Sequence, residues 1–342
     1  MERAASNTDS GEREDAAVRD SLWDRRSVLA GAGALSFAGT VPAVAQGADV
    51  GVGAFRTMPL WPGKPPGGAR VTATENRVER QPATANGNYI VEHVRQPTLT
   101  MLKPAKPNGA AVLLIPGGGY RFVSMGNEGF PVARRFAEAG YTCFILLYRL
   151  PADGWSAGAD VPLQDAQRAV RTIRSLAPRE GFDPQRIGVV GFSAGGHLAA
   201  WLATRDVREI AAPVDAIDRL PASVTAAAFI YPVITLRDPV AHKGSREQLL
   251  GADATPARVA AYSLEENVMA TPPPAVLVHA LDDPAVPYQN SLLMAEALRA
   301  RKGAVEVHLL ESGGHGFGLG TTKPAVANWP ELVAGFLGRH GV

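Results

Sequence analysis

The sequence predicts an α/β protein: a three-layer sandwich on a mostly parallel sheet, with an antiparallel N-terminal edge and a small helical insert. Three observations carry this. The runs "AAVLLIPGGG" (110–119), "YTCFILLYR" (141–149) and "RIGVVGFS" (186–193) are continuously apolar, as strands buried on both faces must be. Between them lie helical patterns, the clearest being residues 161–178 with Leu163, Ala166, Val170, Ile173 and Leu176 on one face. Strands that alternate with helices return to the sheet by right-handed crossovers and so pair in parallel.

Taken in order, residues 1–45 read as a Tat-type export signal and stand outside the fold. Twin arginines Arg25 and Arg26 precede an uncharged stretch diluted by Gly31, Gly33 and Gly39, which ends at Ala43-Val44-Ala45. Residues 46–88, rich in Gly and Pro, read as an extended lead-in. The main folded domain is expected over 89–342. Its first segment, "YIVEHVRQPTLTMLK" (89–103), gives two β-rich pieces split at Gln96-Pro97, an expected antiparallel edge pair. A helix over about 128–139 separates the first two buried strands. Further strands follow at 223–234, 274–282 and 305–312, with a helix over 290–302. The last helix (325–340) contains Pro330, which requires a break or a kink. Residues 237–269 interrupt the alternation and are expected to form small helices over the C-terminal edge of the sheet.

Composition narrows the function. The 342 residues are 46% hydrophobic and 20% charged, with a net charge of +1. Loss of residues 1–45 takes away five basic and seven acidic side chains, leaving about +3. That balance points to no nucleic acid and, after signal cleavage, no membrane as a partner. The single cysteine, Cys143, excludes an internal disulfide and reads as a small buried apolar residue. No Cys/His cluster has metal-ligand spacing, and neither a metal nor a cofactor is expected.

The chemistry concentrates in a few turns. "GFSAG" (191–195) has the form G-x-S-x-G between a predicted strand and a predicted helix, the context in which a strained turn exposes a serine nucleophile, here Ser193. The backbone N–H of Ala194 is then one expected oxyanion donor. The glycine turn Gly117, Gly118 and Gly119 offers others, since donors there approach a substrate unobstructed. Phosphate-loop patterns are absent. His315, between glycines after a strand, is the expected base. His197, four residues after Ser193, sits at the positive end of a helix dipole and is expected to pack or hydrogen-bond beneath the turn. The acid that orients the base should follow a strand and precede His315, and spacing leaves both Asp282 and Asp283 open. Tyr120 and Trp155 are candidate substrate contacts.

These motifs, "PGGGY" (116–120), "NEGF" (127–130), "YRLP" (148–151), "LQDAQRAVRTIR" (163–174), "GFSAGGHLA" (191–199), "DDPAVP" (282–287) and "GGHGFGL" (313–319), resemble α/β-hydrolases of the acetylxylan/feruloyl esterase-like (BD-FAE-like) group over nearly all of the chain beyond the leader. The resemblance implies Asp283 as the acid, because the D-x-x-V-P pattern falls on Asp283 to Pro287, and Gly118 and Gly119 as the glycine-turn donors. It also implies a serine carboxylester hydrolase acting on an acylated carbohydrate such as acetylated or feruloylated xylan, which the expected export signal would place in the periplasm or outside the cell. Other readings are a small-molecule esterase or lactone hydrolase, a prolyl-oligopeptidase-like peptidase, and a carbohydrate-binding protein on a hydrolase fold. The peptidase reading meets an objection, since residues 46–88 are too few for the gating domain of that class.

Overall fold

The computed structural model describes residues 53–82, 87–205 and 213–342. Residues 1–45, the expected export signal, lie outside the described residues. In chain order the described elements are β1 (Arg56–Pro59), β2 (Asn76–Glu79), β3 (Tyr89–Glu92), β4 (Thr98–Leu102), β5 (Ala111–Ile115), α1 (Phe130–Glu138), β6 (Thr142–Leu147), α2 (Val161–Glu180), β7 (Ile187–Phe192), α3 (Ser193–Thr204), β8 (Ala226–Ile230), α4 (Lys243–Leu250), α5 (Pro256–Tyr262), β9 (Ala275–Ala280), α6 (Gln289–Ala300), β10 (Val305–Leu310) and α7 (Trp329–Arg339). Eight strands form one sheet in the order β1-β4-β6-β5-β7-β8-β9-β10. The β1–β4 and β4–β6 pairs are antiparallel and all pairs from β6 to β10 are parallel.

The central strands are buried along their whole length because none carries a charged side chain: AVLLI, TCFILL, IGVVGF and AAAFI. Leu113 of β5 lies in register between Phe144 of β6 and Val189 of β7. Helix α3 is also buried throughout, which its sequence SAGGHLAAWLAT, without a charge, permits. Cys143 is among the buried residues, and burial pushes its thiol pKa up. No helix among the described residues is long and apolar enough to cross a membrane.

A buried ion pair ties the N-terminal half together. Arg149, just past β6, donates to both carboxylate oxygens of Asp165 on α2 at 2.7–3.0 Å, and both side chains are fully buried. Asp165 also accepts from the Arg149 N–H (2.9 Å) and the Trp61 indole (2.8 Å), while Arg149 donates to the Pro66 carbonyl (2.6 Å). The lead-in is thereby bound to the sheet and to α2 at once.

Two expectations need correction. The lead-in, read as merely extended, contributes β1 to the edge of the main sheet and β2 to a separate hairpin. The two pieces of 89–103 do not pair with each other: β3 joins β2, and β4 lies between β1 and β6. Pro97 permits a turn between them that sends the two strands into different sheets. The helix expected at about 128–139 is present: α1 begins at Phe130, directly after a π-turn over Met125–Gly129. Elsewhere the expected insert carries α4 and α5, and Pro330 stands in the first turn of α7, where its missing N–H costs no hydrogen bond.

Candidate active site

Strand β7 ends at Phe192 and α3 begins at Ser193, so the chain turns from extended to helical across one residue. Ser193 adopts φ +51°, a left-handed conformation that L-residues avoid. The flanking glycines make room for it. A Cβ on Gly191 would lie 2.3 Å from the Gly195 carbonyl oxygen, and one on Gly195 would lie 2.2 Å from that of Ile115. The Ala194 N–H falls in the first turn of α3, where no intrahelical acceptor exists.

The glycine turn faces this serine after β5, and three successive peptide planes are clamped there. The Pro116–Gly117 plane is held by the Tyr148 hydroxyl donating to the Pro116 carbonyl (2.9 Å) and by the Gly117 N–H donating to Glu128 Oε2 (2.6 Å). The Gly117 carbonyl accepts from Ser124 N–H (2.9 Å), and the Gly118 carbonyl from Arg121 and Phe122 N–H (3.0 and 3.2 Å). Since N–H and C=O oppose each other across a trans peptide, those bonds aim the N–H groups of Gly118 and Gly119 the other way. Among the described residues no backbone acceptor takes either donor. Gly117 is already engaged by Glu128, which leaves Gly118, Gly119 and Ala194 as the available donors near Ser193.

His315 reaches the serine from the loop after β10. Ser193 Oγ and His315 Nε2 are 2.8 Å apart, and His315 Nδ1 lies 2.7 Å from Asp283 Oδ2. The second Asp283 oxygen accepts from the Ala285 and Val286 N–H groups, both at 2.9 Å. Buried His279 approaches Oδ2 as well, at 3.3 Å. Burial pushes the Asp283 pKa up, but hydrogen bonds from His279 and His315, the His315 charge and the backbone N–H of Val286 outweigh it and hold the carboxyl well below the usual carboxylate range. Asp282 does a different job. Its Oδ1 accepts from Gly313 and Gly314 N–H (2.8 and 2.7 Å), fastening the loop that carries His315.

These groups open into a cleft of about 530 Å³ at the C-terminal ends of the parallel strands. Its walls include Gly118, Gly119, Ser193 and His315 together with polar side chains unassigned from the sequence: Asn127, Glu128, His242, Glu247 and Gln248. His242 caps α4, its Nδ1 accepting from the N–H (3.2 Å) and hydroxyl (2.8 Å) of Ser245, which places its proton on Nε2. Burial and the nearby His315 push its pKa down. Among the described residues no group of three or more His, Cys, Asp or Glu side chains could hold a metal ion.

Two expected substrate contacts lie elsewhere. Tyr120, at φ +60°, is fully buried against Tyr148 and His197, and its hydroxyl donates to His197 Nδ1 (2.8 Å). Trp155 is buried with Val71 and Val161 and packs 4.8 Å from the Arg149 guanidinium. Neither lines the cleft. His197 itself bridges Tyr120 and the Tyr262 carbonyl (2.9 Å), and burial pushes its pKa down to about 4.

Comparison with known proteins adds the following. The BD-FAE family model matches residues 99–298. An acetylxylan esterase of Xylanibacter ruminicola is 31% identical over 222 residues, covering 64% of this chain and 43% of the relative. Endo-1,4-beta-xylanase B of Butyrivibrio fibrisolvens is 34% identical over 207 residues, covering 60% of this chain and 32% of the relative. The chain thus spans less than half the length of these two curated relatives. The crystal structure of an acetyl ester-xyloside bifunctional hydrolase from Caldicellulosiruptor lactoaceticus superposes with a TM-score of 0.65 at 31% identity, over 83% of this chain and 96% of that one.

Proposed function

The chain belongs to the BD-FAE family of α/β-hydrolases, and from that premise we propose that it is a serine carboxylester hydrolase that removes acetyl or feruloyl groups from plant polysaccharides such as xylan. The observation that carries this reading is the continuous hydrogen-bonded line from Ser193 through His315 to Asp283 beneath an open cleft.

Ser193 Oγ attacks the ester carbonyl carbon while its proton passes to His315 Nε2, and Asp283 supports the imidazolium at Nδ1. The carbonyl oxygen becomes an alkoxide facing the N–H groups of Gly118, Gly119 and Ala194; one such donor contributes roughly 3 to 4 kcal/mol to the transition state. The bond to the sugar oxygen breaks, and His315 returns the proton to that oxygen. Water, deprotonated by His315, then attacks the acyl-serine, releasing the acid and restoring Ser193. The polar wall of Asn127, His242 and Gln248 suits an alcohol rich in hydroxyl groups better than an alkyl one.

Acid release from acetylated xylan, acetylated pectin and feruloylated arabinoxylan, assayed side by side, tests the substrate. Xylan should be deacylated or deferuloylated at the highest kcat/KM; activity confined to short alkyl esters would refute the polysaccharide reading. Residues 1–45 are proposed to be a cleaved Tat-type leader that exports the enzyme. The exported protein should then have an intact mass lacking those residues, and a full-length mass would contradict it.

A further inference from the structure

Glu128 has no place in the reaction just described, yet it is 3% exposed and forms part of the cleft wall. The π-turn over Met125–Gly129 delivers it there. Its two oxygens each meet a donor: Oε2 accepts from the Gly117 N–H (2.6 Å), and Oε1 accepts from the Tyr231 hydroxyl (2.9 Å). The first bond reaches the turn that presents Gly118 and Gly119. The second leads to the loop that presents His315. Tyr231 Oη accepts from Gly318 N–H (3.3 Å), and the tyrosine ring stacks edge-on against His315 (5.1 Å between centroids) and Phe317 (4.4 Å). Tyr231 holds φ +37°, a strained conformation for an aromatic residue, and its N–H is fixed to the Val278 carbonyl at 2.7 Å. Next to Glu128, Asn127 donates to the Gly316 carbonyl (3.0 Å), so the same turn grips the histidine loop twice.

We infer that Glu128, acting through Gly117 and Tyr231, is a positioning residue that holds the oxyanion turn and the His315 loop in register over Ser193. The inference rests on the esterase reading. A carboxylate is required at this position because both partners donate, and only a carboxylate accepts at both oxygens. An amide offers one acceptor and one donor, so one partner must be lost or reversed. If the Tyr231 hydroxyl reverses, its proton has no acceptor while Gly318 still donates to it. Burial pushes the Glu128 pKa up, opposed by Gly117, Tyr231 and the His315 charge. Through space, this charge supports an imidazolium and opposes an alkoxide, two effects of opposite sign. The hydrogen bonds act in one direction only, and they carry the argument.

The test uses the isosteric variants Glu128→Gln and Tyr231→Phe, singly and together. The readouts are kcat and KM for p-nitrophenyl acetate and the thermal unfolding midpoint. Each single variant should lose roughly 10- to 100-fold in kcat, the scale of a misplaced reacting group. KM should stay within about twofold and the folded state should persist at the assay temperature. The double variant should be little worse than the more damaged single one, since one brace cannot be broken twice. Unchanged kcat in either folded variant, or losses that multiply in the double, would overturn the inference. Should Glu128→Gln fail to fold, Tyr231→Phe decides alone, because it keeps the ring packing and removes only the hydroxyl. A wild-type protein inert toward esters would overturn the esterase reading and this inference with it, whereas an active wild type with fully active variants overturns the inference alone.

Discussion

His197 is satisfied only as a neutral ring: Nδ1 accepts from the Tyr120 hydroxyl and Nε2–H donates to the Tyr262 carbonyl. Its pKa falls from 6.5 to about 4, first through burial and further through Arg205, against the favourable carbonyl. Between those values the unfolded chain binds a proton that the folded chain refuses, so stability drops as pH falls from 6.5 to 4. The loss from this group is about 3 kcal/mol over that window. His242, lowered in the same direction, adds to it. Asp283 acts in a different window, because its depressed pKa preserves its contribution until the pH falls below the ordinary carboxylate range. Unfolding midpoints measured from pH 7 to pH 4 should decline in the wild type and decline less in His197→Asn. In the ester assay the same variant should be far milder than His315→Ala; the reverse ranking would reassign the base. Ser193, Ala194 and His315 are legible in sequence because the G-x-S-x-G turn and the glycine-flanked histidine are local signals. Asp283 needed the D-x-x-V-P resemblance, since Asp282 stands beside it with the same side chain. Glu128 and Tyr231 had no such signal: one sits in a π-turn and the other just past a strand end, and only the tertiary fold brings them together. Tyr120 stands beside the glycine turn in sequence, but that proximity says nothing of its left-handed φ or of its burial against His197, and the burial of Trp155 with Val71 and Val161 depends on contacts with the lead-in that its own loop does not announce.

At the scale of elements, two junctions carry the site. The first is the Arg149–Asp165 clasp among β6, α2 and the lead-in. Removal of one partner leaves an uncompensated buried charge, at a cost of about 3 to 5 kcal/mol. Asp165→Ala should therefore shift the urea midpoint strongly downward, and an unchanged midpoint would show that the clasp is incidental. The second is the β7–α3 turn, where α3 approaches β5 so closely that Gly195 meets the Ile115 carbonyl. Gly195→Ala must push α3 off the sheet, lowering both stability and the rate of ester hydrolysis. The central strands could be read directly because burial on both faces forbids charge, a constraint visible in composition alone. Strands β1 and β2 were illegible for the opposite reason. RTMP and NRVE are four-residue, largely exposed segments whose strand character comes from pairing with β4 and β3 rather than from their own side chains.

Across the whole molecule, the sheet order sets where chemistry can occur. Strand β5 lies between β6 and β7, so the β5–α1–β6 crossover runs to one side and the β6–α2–β7 crossover returns past β5 to the other, and this reversal opens a crevice at the C-terminal end of β5. The glycine turn proposed as the oxyanion hole follows β5 and the proposed nucleophile, Ser193, follows β7, on adjacent strands. Asp283 and His315 follow β9 and β10 and complete the line from further along the same edge. The small α4–α5 insert adds a polar wall through His242 and Gln248. This edge is proposed to turn Ser193 into a nucleophile that forms a covalent intermediate. Labelling the purified protein with a fluorophosphonate probe and mapping the modified peptide by mass tests it most directly. One adduct is expected on Ser193, absent in Ser193→Ala and much slower to form in His315→Ala; an unlabelled wild type, or an adduct that persists in Ser193→Ala, would rule Ser193 out as the nucleophile.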